Sequence, residues 1–334
     1  MAPLLAPPTD RLRPLLLLLA LCATAWAGCA LGAAAAAGEA RIPVILDTDM
    51  GDDIDDTWAL AYLLKSPQFD LKLVTTTFGK ASYRARLVAK LLTAAGRSDV
   101  AVGLGAGGLE GGDKILGWIA DFPLTAYKGT VHQDGVQAMI DTIEAAQEPI
   151  TLISIGPSDT AAAALAKRPG IAAKVRFVGM QGAVRKGYDG GAPSPEWNVK
   201  CNIPAAKKAL LAPWKEMTIT PLDTCALVRV RGERFAALKQ SRDPLVKALL
   251  ENYRVWAGKK SVDELSESSI LFDTVAVYLA LPGPRTLATL EDLRITVGDD
   301  GSTLISPTGM PMRVATSWTS LDGYVGELVS TLLK

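Results

Sequence analysis

The chain has 334 residues, with 35 basic and 35 acidic side chains, four cysteines and one histidine. That length is ample for a well-buried core in one large domain or two ordinary ones, and an even charge without a basic cluster excludes the phosphate-neutralising surface of a nucleic-acid binder. A lone His132 excludes sites that need two or more imidazoles, His-rich zinc centres and HExxH proteases among them, so the chemistry rests on carboxylates, hydroxyls, amides or lysines.

Residues 1–38 read as a leader. Arg11 and Arg13 precede the apolar run Pro14 to Ala27, followed by small residues rich in alanine. The apolar run falls short of the roughly 20 residues that span a bilayer. Ala25-Trp26-Ala27 suits ordinary signal cleavage, whereas Ala27-Gly28-Cys29 suits a lipoprotein leader with a lipid on Cys29, the one membrane contact expected. Either reading puts the working protein outside the cytoplasm, in the periplasm or beyond. Two basic groups and one acidic group leave with the leader, so 33 basic groups face 34 acidic ones in residues 39–334. Cys201 and Cys225 remain in that body, as a disulfide or as two separate thiols.

From Arg41 onward, short β-branched runs alternate with helical periodicity. Ile42 to Leu46, Leu71 to Thr76, Val100 to Val102, Ile150 to Ile155, Val175 to Val178 and Met217 to Thr220 lack a polar alternate face and predict buried strands. Between them Asp56 to Leu64, Tyr83 to Ala95, Gly135 to Ala146, Asp159 to Lys167 and Ala205 to Leu211 predict helices. Further on, Asp243 to Trp256 and Ile270 to Leu281 read as helical. Leu293 to Val297 and Thr303 to Ser306 flank the hairpin signal Gly298-Asp299-Asp300-Gly301, Met312 to Thr316 is the last strand, and a helix starts at Ser320. The expectation is one α/β domain over 39–334, a mostly parallel sheet flanked by helices with an open Rossmann-like core and a C-terminal hairpin. Ligands of such folds sit outside the carboxyl ends of the strands.

At the first of those ends lies Asp47-Thr48-Asp49-Met50-Gly51-Asp52-Asp53-Ile54-Asp55-Asp56, six aspartates in ten residues. So many carboxylates repel one another unless a cation or a helix N-terminus offsets them. The plain reading is that two or three of them cap the helix beginning near Asp55 and the others are solvated; placement at a strand's carboxyl end favours a cation site instead. Oxygen ligands favour calcium or magnesium. An EF-hand is excluded, because counting from Asp47 the glycine falls at position five and position twelve is Trp58. A phosphatase of the haloacid-dehalogenase type, with Asp47 as nucleophile and Asp49 as acid, has Gly51 where Thr or Val belongs. Its later acidic pair, Asp299-Asp300, falls in a hairpin. The glycine cluster Gly103 to Gly112 lacks the spacing of a dinucleotide or P-loop fingerprint and reads as a flexible loop at a pocket edge.

The acidic loop resembles the DxDxGxDD signature of the inosine-uridine-preferring nucleoside hydrolases, in a form two residues longer that is associated with bacterial relatives. The resemblance continues in order through Thr75-Thr76-Thr77-Phe78-Gly79, Ile153-Ser154-Ile155-Gly156-Pro157, Met180-Gln181-Gly182, Glu196-Trp197-Asn198 and Phe272-Asp273. It implies hydrolysis of the N-glycosidic bond of ribonucleosides, in purine and pyrimidine salvage, with one calcium per subunit and assembly into a dimer or tetramer. By the same resemblance Asp49 is a calcium ligand that accepts the proton of the attacking water. Asp56, Asp273 and the main-chain carbonyl of Ile155 complete the protein's ligands. Asp55 contacts ribose, with Asp53 as the alternative in register, and Glu196 and Asn198 hold ribose hydroxyls. Trp197 between them serves either packing or base stacking.

Three positions depart from the family pattern. Phe272 stands where a histidine assists departure of the base, and phenylalanine donates no proton. Lys80, a substrate-contact candidate, and Gly190 replace asparagines. His132 is the candidate substitute for the missing imidazole, against the plainer role of a partly buried hydrogen-bonding residue. The reading adopted is a calcium-dependent N-riboside hydrolase; the alternative is a metal-dependent riboside-binding protein whose catalysis is reduced.

Overall fold

The computed structural model describes Pro3, residues 41–108 and residues 112–334. The leader, its two cleavage positions and Cys29 lie outside the described residues. The elements run β1 (Ile42–Thr48), α1 (Asp55–Lys65), β2 (Phe69–Thr76), α2 (Ala81–Ala94), β3 (Ala101–Gly103), β4 (Val131–His132), α3 (Gly135–Ala145), β5 (Ile150–Ser154) and α4 (Asp159–Lys167). They continue with β6 (Val175–Met180), α5 (Trp197–Lys200), α6 (Ile203–Leu210), β7 (Glu216–Thr220), α7 (Leu222–Cys225), α8 (Gly232–Lys239), α9 (Pro244–Trp256) and α10 (Thr274–Ala280). The chain ends in β8 (Ala288–Val297), β9 (Thr303–Ile305), β10 (Met310–Trp318) and α11 (Leu321–Leu332).

Among the described residues, ten strands form one sheet in the order β4-β3-β2-β1-β5-β6-β7-β10-β8-β9. β4 through β7, with β10 against β7, pair parallel; β8 runs antiparallel to β10, and β9 to β8. The expected hairpin of β8 and β9 is present. The last strand, β10, inserts between it and β7.

Alternation along β1 feeds two cores, as a sheet covered on both faces requires. Val44 and Leu46 pack with Trp58, Leu87, Leu249, Val275 and Leu328 from α1, α2, α9, α10 and α11. Ile45 points the other way, among Met139, Ile140, Leu165 and Leu210 from α3, α4 and α6. The chain moves outward from β1 through β2, β3 and β4, then returns to place β5, β6 and β7 on the other side. The strand order therefore reverses between β1 and β5, and the crevice at their carboxyl ends is where such a fold leaves room for a ligand.

The helix that backs this crevice is tied down at its start. Asp243 caps α9, accepting from the amides of Leu245 at 2.9 Å and Val246 at 3.0 Å, while Lys65 at the end of α1 reaches its other oxygen at 2.5 Å. Asp243→Ala is expected to destabilise the protein by about 1–2 kcal/mol, the usual worth of a lost cap. A fall in the urea midpoint with an unchanged slope checks this.

Candidate active site

The end of β1 separates structural from reactive aspartates. Asp47 lies inside the strand, fully buried, and its Oδ1 accepts from Thr75 Oγ1 of β2 at 2.6 Å. Thr48 Oγ1 donates to Asp56 Oδ1 at 2.5 Å and accepts from the Met50 amide at 3.1 Å, which folds the loop back over the start of α1. Gly51 makes the turn at φ 130°, and a Cβ there would lie 2.6 Å from the Tyr83 ring. Gly156, after β5, passes so close to Asp49 that a Cβ would stand 2.6 Å from its carboxylate. Both positions need glycine for that reason.

Asp55 and Asp56 occupy the first turn of α1, where the helix dipole favours negative charge. Asp273 precedes α10, and its carboxylate is not spent on capping that helix. All three are buried, and they bring oxygens within 4.8 Å of one another. Burial, then mutual repulsion, raises all three well above the ordinary carboxylate range, and Asp55 and Asp273 hydrogen-bond to each other. Two buried carboxyl groups in contact without a cation must share a proton. Displacing that proton with a hard cation satisfies the same oxygens, so the donor set fits a metal ion.

Asp49, also buried, stands beside this trio. Burial pushes its carboxyl up to about 7, opposed by Arg84 and reinforced by Asp52. Ile155 presents its carbonyl from the end of β5, and Asn198 Nδ2 donates to it at 3.2 Å and to the Met180 carbonyl at 3.0 Å. Glu196 caps α5, accepting from the amides of Asn198 at 2.7 Å, Gly182 at 2.9 Å and Val199 at 3.4 Å. Burial nevertheless raises its carboxyl to about 7. Much of the hydrogen-bonding capacity of Glu196 and Asn198 thus goes to joining the ends of β5 and β6.

Asp49, Asp55, Asp56, Ile155, Glu196, Asn198 and Asp273 line one cleft of about 330 Å³. Its walls are Met180, Leu222, Tyr188, Trp197 and Phe272. Trp197 is 46% exposed and Tyr188 40% exposed, so both rings present free surface. Trp197 stands edge-on to Phe78 at 6.4 Å, and Tyr188 stands edge-on to Phe272 at the same distance. The described part of the glycine loop borders the same region, where the Gly112 amide donates to Asp52 Oδ1 at 2.7 Å.

Three sequence candidates have other places. Asp53 lines the cleft but is exposed, and its carboxylate accepts from the Ile54 amide at 2.7 Å; Asp55 and Asp56 form the trio. Lys80 is not among the lining residues. It pairs with Asp113 at 2.9 Å, and Lys114 lines the cleft instead. His132 is exposed on β4 at the sheet's edge, with β3 and β2 between it and β1, so the strand order holds the only histidine away from the cleft. Cys201 and Cys225 are both free thiols.

Sequence reasoning missed Arg84. It is 1% exposed, lies beneath the acidic loop, and donates to the main-chain oxygen of Asp49, to that of Phe78 at 2.7 Å and to the carboxylate of Asp52 at 2.7 Å. The available signal was helical periodicity: Arg84 shares a face with Leu87, Val88 and Leu91, where a cation has no place unless it is paired. Its neighbour Tyr83 accepts from the Ile115 amide at 3.1 Å and donates to the Gly51 carbonyl at 3.2 Å.

The family profile described as inosine-uridine preferring nucleoside hydrolase matches residues 44–321. The non-specific ribonucleoside hydrolase RihC of Klebsiella pneumoniae subsp. pneumoniae is 30% identical over 308 residues, 86% of this chain and 91% of that one. The pyrimidine-specific ribonucleoside hydrolase RihA of Escherichia coli O127:H6 is 28% identical over 224 residues, 63% of this chain and 70% of that one. Among solved structures, the plant nucleoside hydrolase PpNRh1 superposes with a TM-score of 0.72 at 22% identity, covering 88% of this chain and 98% of that one. The type III effector XopQ, solved with adenosine diphosphate ribose, gives 0.64 at 18%, covering 89% and 94%; at such identities these likenesses are of fold. With the profile spanning nearly all of the described body, the chain belongs to the inosine-uridine preferring nucleoside hydrolase family.

Proposed function

We propose that this chain hydrolyses the N-glycosidic bond of ribonucleosides or related N-ribosides in a calcium-dependent reaction. The observation that carries the reading is the convergence of Asp55, Asp56 and Asp273 beside Asp49, at the reversal point of the sheet, beneath an aromatic-walled cleft. Asp56, Asp273, Asp49 and the Ile155 carbonyl would hold the cation, with Asp55 turned to the sugar. Calcium suits this set better than magnesium because it accepts a larger, mixed shell of carboxylate, carbonyl and sugar oxygens. When bound, it supplies an anchor for ribose hydroxyls and an acidified water.

The chain's own residues supply the rest. Asp49 takes the proton of the attacking water. Arg84 fixes the main chain of Asp49, and Asn198 fixes the carbonyl of Ile155. The faces of Trp197 and Tyr188 receive the planar leaving group and exclude water from it. The basic pair, apolar run and small residues of positions 1–38 support export from the cytoplasm, and labelling of Cys29 by radioactive palmitate distinguishes a lipoprotein from a cleaved, soluble product.

The test is a panel of purine and pyrimidine ribonucleosides and p-nitrophenyl riboside. Release of base or nitrophenol with calcium, its loss on chelation and its return on calcium readdition are expected. Calorimetric binding of riboside with no turnover on any member would favour the binding protein over the enzyme.

A further inference from the structure

We propose that the preferred substrates are ribosides whose leaving group is a positively charged nitrogen heterocycle, an N-ribosyl pyridinium or an N-alkylated azole. This rests on the N-riboside hydrolase reading and narrows it. Two independent features of the cleft carry it, its charge and its aromatic wall.

Six aspartates and Glu196 line the cleft against Lys114, the one ammonium among the described lining residues. Arg84 offsets Asp52 from below, and Lys114 lies close enough to act on Asp53, its side chain resting 5.9 Å from the Trp256 ring. A bound dication is shared among Asp49, Asp56 and Asp273, which still leaves acids in excess. Such a cleft attracts cations.

The wall above the acids is Trp197, Tyr188 and Phe272. Trp197 already receives one cation, the Lys200 ammonium at 5.7 Å from its ring centroid. Electron-rich rings over an electronegative floor make a binding surface for a flat cation.

Leaving-group chemistry points the same way. A neutral purine or pyrimidine needs a proton as the bond to C1′ breaks. Phe272 offers only carbon, Glu196 is taken up by three backbone amides, and His132 is at the far edge of the sheet. The Tyr188 hydroxyl already accepts from the Trp197 amide at 3.2 Å. A cationic leaving group needs no donor. Water adds to C1′, the C1′–N bond breaks with its electron pair going to the ring nitrogen, and the heterocycle departs neutral. Ribose is the other product, and the proton lost by water passes through Asp49 to solvent.

Kinetics with N-ribosylnicotinamide, inosine, uridine and p-nitrophenyl riboside test this. The pyridinium riboside is expected to exceed inosine and uridine in kcat/KM by at least about 100-fold, the lower range of what a general acid contributes. As a control for intrinsic reactivity, the N-methylnicotinamide cation is expected to inhibit nitrophenyl riboside cleavage at least about fivefold more tightly than neutral nicotinamide, and Trp197→Leu to erase that preference. Inosine or uridine equal to or better than the pyridinium riboside overturns the proposal and leaves the nucleoside-hydrolase reading standing. So does cleavage of the nitrophenyl riboside without cleavage of the pyridinium riboside, or equal inhibition by the two nicotinamides. Turnover of none of the four removes the hydrolase reading and this proposal with it.

Discussion

Asparagine in place of Asp273 is expected to stabilise the cation-free protein and to abolish the stabilisation expected of calcium in the wild type. Without a cation, Asp55, Asp56 and Asp273 crowd buried oxygens within 4.8 Å, and burial with mutual repulsion raises each of them. Groups raised on folding bind more protons in the folded than in the unfolded chain, so stability falls as pH rises. The fall begins in the ordinary carboxylate range near pH 4 and extends through about 7, where Asp49 and Glu196 titrate in the folded protein. The chelated wild type should therefore melt at a higher temperature at pH 5 than at pH 8, and Asp273→Asn should shrink that difference by removing one raised group. Calcium is expected to reverse the ranking. At a hundredfold excess over its dissociation constant the wild type should gain about 2.7 kcal/mol. The variant loses more than about 100-fold in affinity, since a ligand should matter more than the outer partners whose loss costs that much. Base release falls with it. Thermal unfolding at both pH values, with calcium and with chelator, checks all three signs; an undiminished calcium-induced shift in the variant would exclude Asp273 as a ligand.

The parallel half of the sheet was legible because strands buried on both faces are continuous apolar runs, and six of them were predicted close to their observed bounds. β4 was not legible, since two residues carry no periodicity. Nor was α8, in which only Phe235 and Leu238 are buried. The insertion of β10 between β7 and β8 is a non-local pairing that no stretch of sequence contains. At the site, the acids declared themselves because six aspartates in one loop have few bland explanations. Lys80 and His132 misled because a polar residue in a loop carries no signal of direction. Strand order turned His132 to an outer edge, and an ion pair with Asp113 took Lys80.

Arg84→Ala is expected to be the most damaging single change outside the acidic trio. The guanidinium is buried and serves two main-chain oxygens, of Asp49 and Phe78, and the Asp52 carboxylate, which in turn holds the Gly112 amide. Phe78 sits at φ 53°, a conformation that a bulky residue keeps only where its surroundings fix it, and Arg84 Nε is one of those fixtures. Alanine strands Asp52 in partly buried surroundings with no cation beside it. Breaking a buried pair costs about 3–5 kcal/mol, and the 19% exposure of the Asp52 side chain holds the loss toward the lower end. Lysine is the informative variant, because it restores the charge without the planar fork that reaches three partners at once. Arg84→Lys should recover part of the stability yet leave Asp49 less well placed, so calcium affinity and kcat stay depressed while the KM for riboside moves little. Urea unfolding, calcium calorimetry and the kcat and KM of p-nitrophenyl riboside separate these effects. A lysine variant that binds calcium and turns over like the wild type would reduce Arg84 to a counter-charge, and a preserved stability in the alanine variant would deny it even that role.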